Sequence, residues 1–257
     1  MAHILTTSEE LIGTITLDHQ PKRNALSHAL VEEVLAALRD FRETKVRVVI
    51  LRAQPGCTVW SAGHDVDELP VSRRDPLGWD DPLRQLVREI ETYPGPVIAM
   101  IDGGVWGGAC EIVLACDLIV ASLAASFGLP EVKRCLLAGG GGLHRLPRAI
   151  PRHIALELAL TGEPVDASRA HTLGLLSRLV PQGAAVDAAV ELAELINGNA
   201  PLAVRATRRL MLASHLATDA EAIDLVNDAY PELAKADDFD EGPRAFLEKR
   251  PPVWKGR

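Results

Sequence analysis

The chain has 257 residues, 47% hydrophobic and 24% charged, the composition of an ordinary soluble protein able to bury a large core. A formal net charge of −8 with no basic tract excludes non-specific nucleic-acid binding, and any polyanionic ligand would need a local basic patch. The cysteines at 57, 110, 116 and 135 show no C-x-x-C spacing and nothing at the N-terminus reads as a signal peptide, so reduced thiols in the cytoplasm are expected.

In chain order, Ile12 to Leu17 reads as a strand, and Ser27 caps a helix through about Phe41 that lines up Leu30, Val34, Leu38 and Phe41 on one face. A second strand is expected from Arg47 to Leu51. Ser72 to Pro82, rich in Arg, Asp and Pro, is the expected mobile loop. Pro96 to Ile101 is an apolar run between Pro and Asp-Gly-Gly, the signature of a buried strand. Ala109 to Ala115 is expected to be helical, opening straight after a glycine turn, and Leu118 to Ala121 gives the next strand. Val97 to Leu129 is the most apolar region, but Asp102, Glu111 and Asp117 interrupt it too often for a membrane span. From Pro201 onward the sequence is helix-forming, Leu202 to Leu216 and then Asp219 to Ala234, with no strand. Strands alternating with helices give an α/β class with largely parallel sheets. No internal repeat is present. The natural division is a core of residues 1–200 and a helical region of residues 201–257.

Two glutamates stand out. Glu111 follows Gly107-Gly108-Ala109-Cys110 and Glu131 follows Phe127-Gly128-Leu129-Pro130. A carboxyl in such apolar, glycine-rich sequence loses water on folding, which raises its pKa and lets it exchange protons near neutrality. Upstream, Ser61-Ala62-Gly63-His64-Asp65 forms another small-residue turn. Were the amides of His64 and Gly108 to converge, they would make a two-donor site for a developing oxyanion beside a carboxyl pair. At His64 only the backbone amide is needed. Gly103-Gly104 and Gly139 to Gly142 fit neither a dinucleotide fingerprint nor a P-loop; they are expected to let an acyl chain and a water approach bare backbone. Ser61-Ala62-Gly63 is half of a nucleophile elbow, with Val59 in place of the first glycine, so a serine hydrolase is rejected.

At these residues the chain resembles the crotonase superfamily, also called the enoyl-CoA hydratase/isomerase family. The resemblance runs from Pro21-Lys22-Arg23-Asn24-Ala25-Leu26 through Trp60 to Asp65, Trp106 to Glu111 and Pro130-Glu131-Val132 to Ala245 to Arg250. It implies a spiral of repeated β-β-α units with a C-terminal helical oligomerisation region, assembled as a trimer or a dimer of trimers. It implies an acyl-CoA thioester as substrate, with coenzyme A as part of that substrate and neither a further cofactor nor a metal, no nucleic acid and no membrane. By resemblance Glu111 activates water, Glu131 delivers a proton to the α-carbon, and the Gly139 amide helps hold the water. Coenzyme A contacts are implied at Lys22, Arg23, Ala25, Ala62 and Asp65, and at Phe246 and Lys249, which match residues that reach an adjacent subunit's ligand. Lys22 and Arg23 would also supply local positive charge for the phosphates.

The family runs several reactions on one oxyanion hole. The hydratase pattern is departed from at Cys135, where many members have Gly, and at Ala138, where many have Pro. His64, Arg74 to Leu77, Asp81 to Gln85 and Val105 to Gly108 look like the methylmalonyl-CoA decarboxylase branch. That branch lacks a glutamate at the position of Glu131. Enoyl-CoA hydration is therefore the first expectation, decarboxylation the second, and acyl-CoA binding without turnover the third.

Overall fold

A computed structural model describes residues 2–68, 78–214 and 217–257. Residues 72–77 of the expected mobile loop, including Arg74 to Leu77 of the decarboxylase-like segment, lie outside the described residues, as do the last two of the helix expected to end at Leu216.

The chain opens with an antiparallel pair, β1 (Ile4–Glu9) and β2 (Ile12–Leu17). Helix α1 (His28–Glu43) follows, capped by Ser27 Oγ accepting from Leu30 N at 3.3 Å. Leu30, Val34, Leu38 and Phe41 all face inward, as their spacing requires. Strand β3 (Val48–Ala53), short β4 (Val59–Ser61) and helix α2 (Pro82–Thr92) come next. Asp81 caps α2, with Oδ1 accepting from Leu83 N at 2.9 Å and Pro82 opening the first turn. Then follow β5 (Val97–Ile101), β6 (Gly104–Trp106), α3 (Gly108–Ala115), β7 (Leu118–Ser122) and β8 (Ser126–Gly128). Helices α4 (Gly142–Ala149) and α5 (Arg152–Thr161), strand β9 (Val165–Asp166), helix α6 (Ala167–Thr172), strand β10 (Arg178–Val180) and helix α7 (Ala185–Asn197) complete the core. Three helices close the chain, α8 (Pro201–Ser214), α9 (Asp219–Ala234) and α10 (Asp238–Glu248).

The strands form two sheets, in the orders β1-β2-β3-β5-β7-β10 and β4-β6-β8-β9. In the larger sheet β2, β3, β5, β7 and β10 run parallel. Both faces are covered, which is why its strands read as unbroken apolar runs. Val48, Ile50, Ile98, Met100 and Val120 pack under Ala185, Ala189 and Ala193 of α7. Their alternate neighbours Val49, Leu51, Ala99, Ile101 and Ala121 face the main core with α1, α2 and α3. Among the described residues no helix is long and apolar enough to cross a membrane, and the four cysteines are free thiols.

The smaller sheet positions the site. Its first three strands are parallel, so their carboxyl ends share one edge. β4 runs into Ala62-Gly63-His64, β6 into Gly107-Gly108, and β8 into Leu129-Pro130-Glu131. Three segments far apart in sequence are thus delivered to one place, the edge at which open α/β sheets hold ligands.

A buried pair ties α8 to the residues between α2 and β7. Arg208 of α8 donates from Nε to both oxygens of Asp117 at 2.8 Å, and from its other nitrogens to the carbonyls of Ile90, Glu91 and Tyr93 at the end of α2. The two side chains are 9% and 13% exposed, and burial pushes the Asp117 carboxyl up although the Arg208 charge pulls it down. Removing one member of such a pair strands the other without water. Arg208→Met should therefore cost about 3–5 kcal/mol of stability, read as a fall in the midpoint of denaturant unfolding; an unchanged midpoint would show that α8 is held by apolar packing alone.

Candidate active site

The turn before β4's partner segment begins with left-handed residues. Arg23 and Asn24 have φ of 53° and 51°, and Asn24 is fully buried. Its side chain accepts from His19 N at 2.7 Å and donates to Trp60 O at 2.9 Å, while Ser61 Oγ donates to its carbonyl at 2.7 Å. Asparagine tolerates this conformation and satisfies it locally. The turn then pairs with the chain after β4, Ala62 N donating to Arg23 O at 2.9 Å and Leu26 N to Gly63 O at 2.8 Å. Asp65 N closes the ladder on Leu26 O, which leaves the His64 amide outside it.

The facing amide belongs to Gly108, first residue of α3. Gly107 before it has φ 55° and ψ −125°, a conformation that requires glycine. A Cβ on Gly63, whose φ is 84°, would sit 2.4 Å from Trp106 O and 3.1 Å from Gly108 N; one on Gly108 would sit 3.4 Å from His64 N. The two turns touch backbone to backbone, which brings the segments carrying the His64 and Gly108 amides side by side. Gly108 N has no acceptor within its own helix, and the helix N-terminus adds positive potential there.

Glu111 lies one turn into α3 and is 1% exposed. Its Oε1 accepts from Gly142 N at 2.8 Å. Burial pushes its pKa up to about 7, helped by the charge of Glu131 and opposed by the amides of Gly142, Gly140 and Gly141. Glu131, in the 3-10 turn Pro130–Arg134 after β8, has Oε1 only 2.9 Å from where a Gly107 Cβ would lie. Its Oε2 is buried without a hydrogen-bond partner among the described residues. Burial raises its pKa as well, with Arg134 pulling the other way.

Arg23, Ala62, His64, Gly107, Gly108, Glu111 and Glu131 line one cavity of about 350 Å³. Val66, Leu83, Trp106, Pro130, Arg134, Leu136 and Leu137 complete its wall; Leu83, Trp106 and Pro130 fall within the quoted motifs, whereas Val66, Arg134, Leu136 and Leu137 carry no local signal in the sequence. The His64 imidazole also lines it, with Nδ1 3.1 Å from Asp65 O and Nε2 3.9 Å from Asp81 Oδ2. A larger cleft of about 810 Å³ between the end of α2, α8 and α9 contains none of the expected site residues.

Other expected residues stand outside the cavity wall. Lys22 Nζ is bonded to Asp65 Oδ2 at 2.8 Å and Asp67 Oδ2 at 3.1 Å, so its charge and that of buried Asp65 are turned on one another. Ala25 is buried beneath the turn. Phe246, 83% exposed, and Lys249, left-handed at the end of α10, do not line the cavity of their own chain. Gly139 turns its carbonyl to Arg84 Nε at 3.1 Å. It is Gly140 and Gly142 that approach the catalytic candidate, since added Cβ atoms there would fall 2.7 Å and 3.2 Å from Glu111 oxygens. The glycine run thus brings bare backbone to a carboxylate, where an acyl chain and a water were expected.

The chain matches the family model described as enoyl-CoA hydratase/isomerase over residues 7–257. It is 36% identical over 248 residues to methylmalonyl-CoA decarboxylase of Escherichia coli K12, spanning 95% of both chains. It is 36% identical over 253 residues to carnitinyl-CoA dehydratase of Citrobacter koseri, spanning 95% of this chain and 94% of that one. The crystal structure of an enoyl-CoA hydratase from Bacillus anthracis superposes with a TM-score of 0.93 at 33% identity, over 99% of this chain and 100% of that one. With the two-sheet fold and the two glutamates on one cavity already in place, these matches establish that the chain belongs to the enoyl-CoA hydratase/isomerase family of the crotonase superfamily.

Proposed function

We propose that the protein is an enoyl-CoA hydratase, adding water across the 2,3 double bond of a 2-enoyl-CoA thioester. The observation that carries this reading is that the buried Glu111 and the partly buried Glu131, both with raised pKa, line the same cavity as His64 and Gly108. The thioester carbonyl draws electron density from the double bond, so a water oxygen bonds to the β-carbon as charge builds on the thioester oxygen. The His64 and Gly108 amides receive that charge, a contribution of about 10²–10³ per donor. Glu111 takes the proton of the attacking water and Glu131 gives one to the α-carbon, each worth about 10²–10⁴. One proton gained and one lost leave the pair to be reset by exchange. The two carboxyls titrate as a coupled pair, so their roles describe a dominant microstate.

Decarboxylation is the second reading, favoured by the Escherichia coli relative and by the His64 imidazole beside Asp81 in the cavity. It uses the same enolate stabilisation and still needs a proton delivered to the α-carbon once carbon dioxide has left, but it gives Glu111 no water to activate. Purified protein should consume the enoyl absorbance of crotonyl-CoA without releasing carbon dioxide from methylmalonyl-CoA. The reverse result would establish the decarboxylase, and tight binding of both thioesters without turnover the non-catalytic reading. Assembly as a trimer or dimer of trimers belongs to the same proposal, supported by the exposure of Phe246, Leu247 and the apolar side chains of α8 and α9; Phe246 and Lys249 would then serve a neighbour's coenzyme.

A further inference from the structure

In a trans peptide the carbonyl and the amide of one unit point in opposite directions. Two successive units in the glycine run have their carbonyls held from outside. Gly139 O accepts from Arg84 Nε at 3.1 Å, and Gly140 O accepts from Arg145 Nη1 at 3.2 Å. The amides of Gly140 and Gly141 then face away from the guanidinium groups, and the run lies against the Glu111 carboxylate, which accepts from Gly142 N at 2.8 Å and stands 2.7 Å from where a Gly140 Cβ would fall. The Arg145 guanidinium lies directly against the run, for a Cβ on Gly141, whose φ is 127°, would fall 1.5 Å from its Nη1. Arg145 is fixed in turn by Glu91 of α2, whose Oε1 accepts from Nε at 2.9 Å and from Nη2 at 2.6 Å. Arg84 stands on the same helix. Helices α2 and α4 therefore grip the run by its carbonyls and aim its amides inward.

We propose that Arg84 and Arg145 are positioning residues that act on Glu111 through the Gly139–Gly142 backbone, with Glu91 as the anchor of Arg145. They set how closely the backbone of the glycine run is held to the carboxylate, and so how readily Glu111 gives up its proton. The consequence for catalysis rests on the reading of Glu111 as the group that activates water; the consequence for its titration does not. The other titratable or charged groups on the surrounding elements are Glu131 and Arg134 across the cavity, His64 on its wall with Asp81 beside it, Arg88 and Glu89 on α2, Cys110 on α3, and His144 and Arg148 on α4. None of them is removed by substituting the two arginines.

The test follows the protonated Glu111 carboxyl by its infrared carbonyl band, identified as the band lost in Glu111→Gln, across a pH titration of wild type, Arg84→Gln, Arg145→Gln and Glu91→Gln. Loss of a guanidinium lets a peptide unit rotate and withdraws an amide, so Arg84→Gln and Arg145→Gln should each raise the Glu111 midpoint by about one pH unit, which is about tenfold in its ionised fraction on the acid side. Glu91→Gln keeps an acceptor for Arg145 and should move the midpoint by less than either. With crotonyl-CoA the acid limb of kcat/KM should shift by the same amount, with KM little changed. A role limited to holding α2 and α4 together would lower the melting temperature and leave the midpoint in place. A wild-type midpoint in both arginine variants overturns the proposal, and if Arg145→Gln fails to fold, Arg84→Gln decides alone. Absence of hydratase activity in wild type would defeat the functional reading, while the infrared titration would still judge this one.

Discussion

Glu111→Gln and Glu131→Gln are each expected to lower kcat for hydration by at least about 10²-fold while acyl-CoA binding survives. Glutamine keeps the shape of each side chain, and at 111 its carbonyl can still accept from Gly142 N as Glu111 Oε1 does, but neither amide exchanges protons. In wild type the pH profile should report the same chemistry. Glu111, lifted to about 7 by burial, must be ionised to take a proton from water, so kcat/KM should fall as the pH drops below about 7. Glu131, also raised, must hold a proton to deliver one, so the rate should also fall as that proton is lost. The acid limb should vanish in the residual activity of Glu111→Gln. Near-wild-type kcat in either variant would remove that residue from the mechanism.

The second large effect separates backbone from side chain at position 64. His64→Pro should cost about 10²–10³ in kcat, because the ring replaces the N–H proposed to act with the Gly108 amide. His64→Ala keeps the amide and should retain most of the activity. The contrast needs both variants folded, which circular dichroism can confirm, since the segment on either side is held by Leu26 N on Gly63 O and Asp65 N on Leu26 O. A folded and active proline variant would overturn the oxyanion assignment. A dead alanine variant would implicate the imidazole, which lines the cavity 3.9 Å from Asp81, and would favour decarboxylation.

Much of this was legible in the residues because burial leaves marks on sequence. The strands β2, β3, β5 and β7 and the helices α1, α3 and α9 were anticipated closely, for each carries an apolar run or a periodic face. β1 escaped because it is an edge strand with mostly exposed side chains. β4, β6, β8, β9 and β10 are two or three residues long, too short for any period to show. Three of those short strands, β4, β6 and β8, are nevertheless the ones that gather the site. That Glu111, Glu131, His64 and Gly108 would share one cavity was suggested by their small-residue, glycine-rich settings, and only the family pattern gave them roles. The hold of Arg84 and Arg145 on two glycine carbonyls spans up to 55 positions, and no local pattern announces a contact of that range. Lys22 shows the opposite failure. Its charge was legible, but its engagement with Asp65 and Asp67 is a property of the folded turn.

The burial of Glu111 has a thermodynamic side. Its pKa stands at about 7 in the folded chain against 4.5 for an ordinary glutamate, so between those values the native state binds a proton that the unfolded chain has released. Stability contributed by that proton is fully present below about pH 4.5 and is lost as the pH rises through about 7, a total of about 3 kcal/mol from this one side chain. The ionised form that does the chemistry is therefore the form that the fold tolerates least. On this account the protein is at its most reactive where it is held together less firmly, and the inert Glu111→Gln chain is the sturdier molecule in mildly alkaline solution.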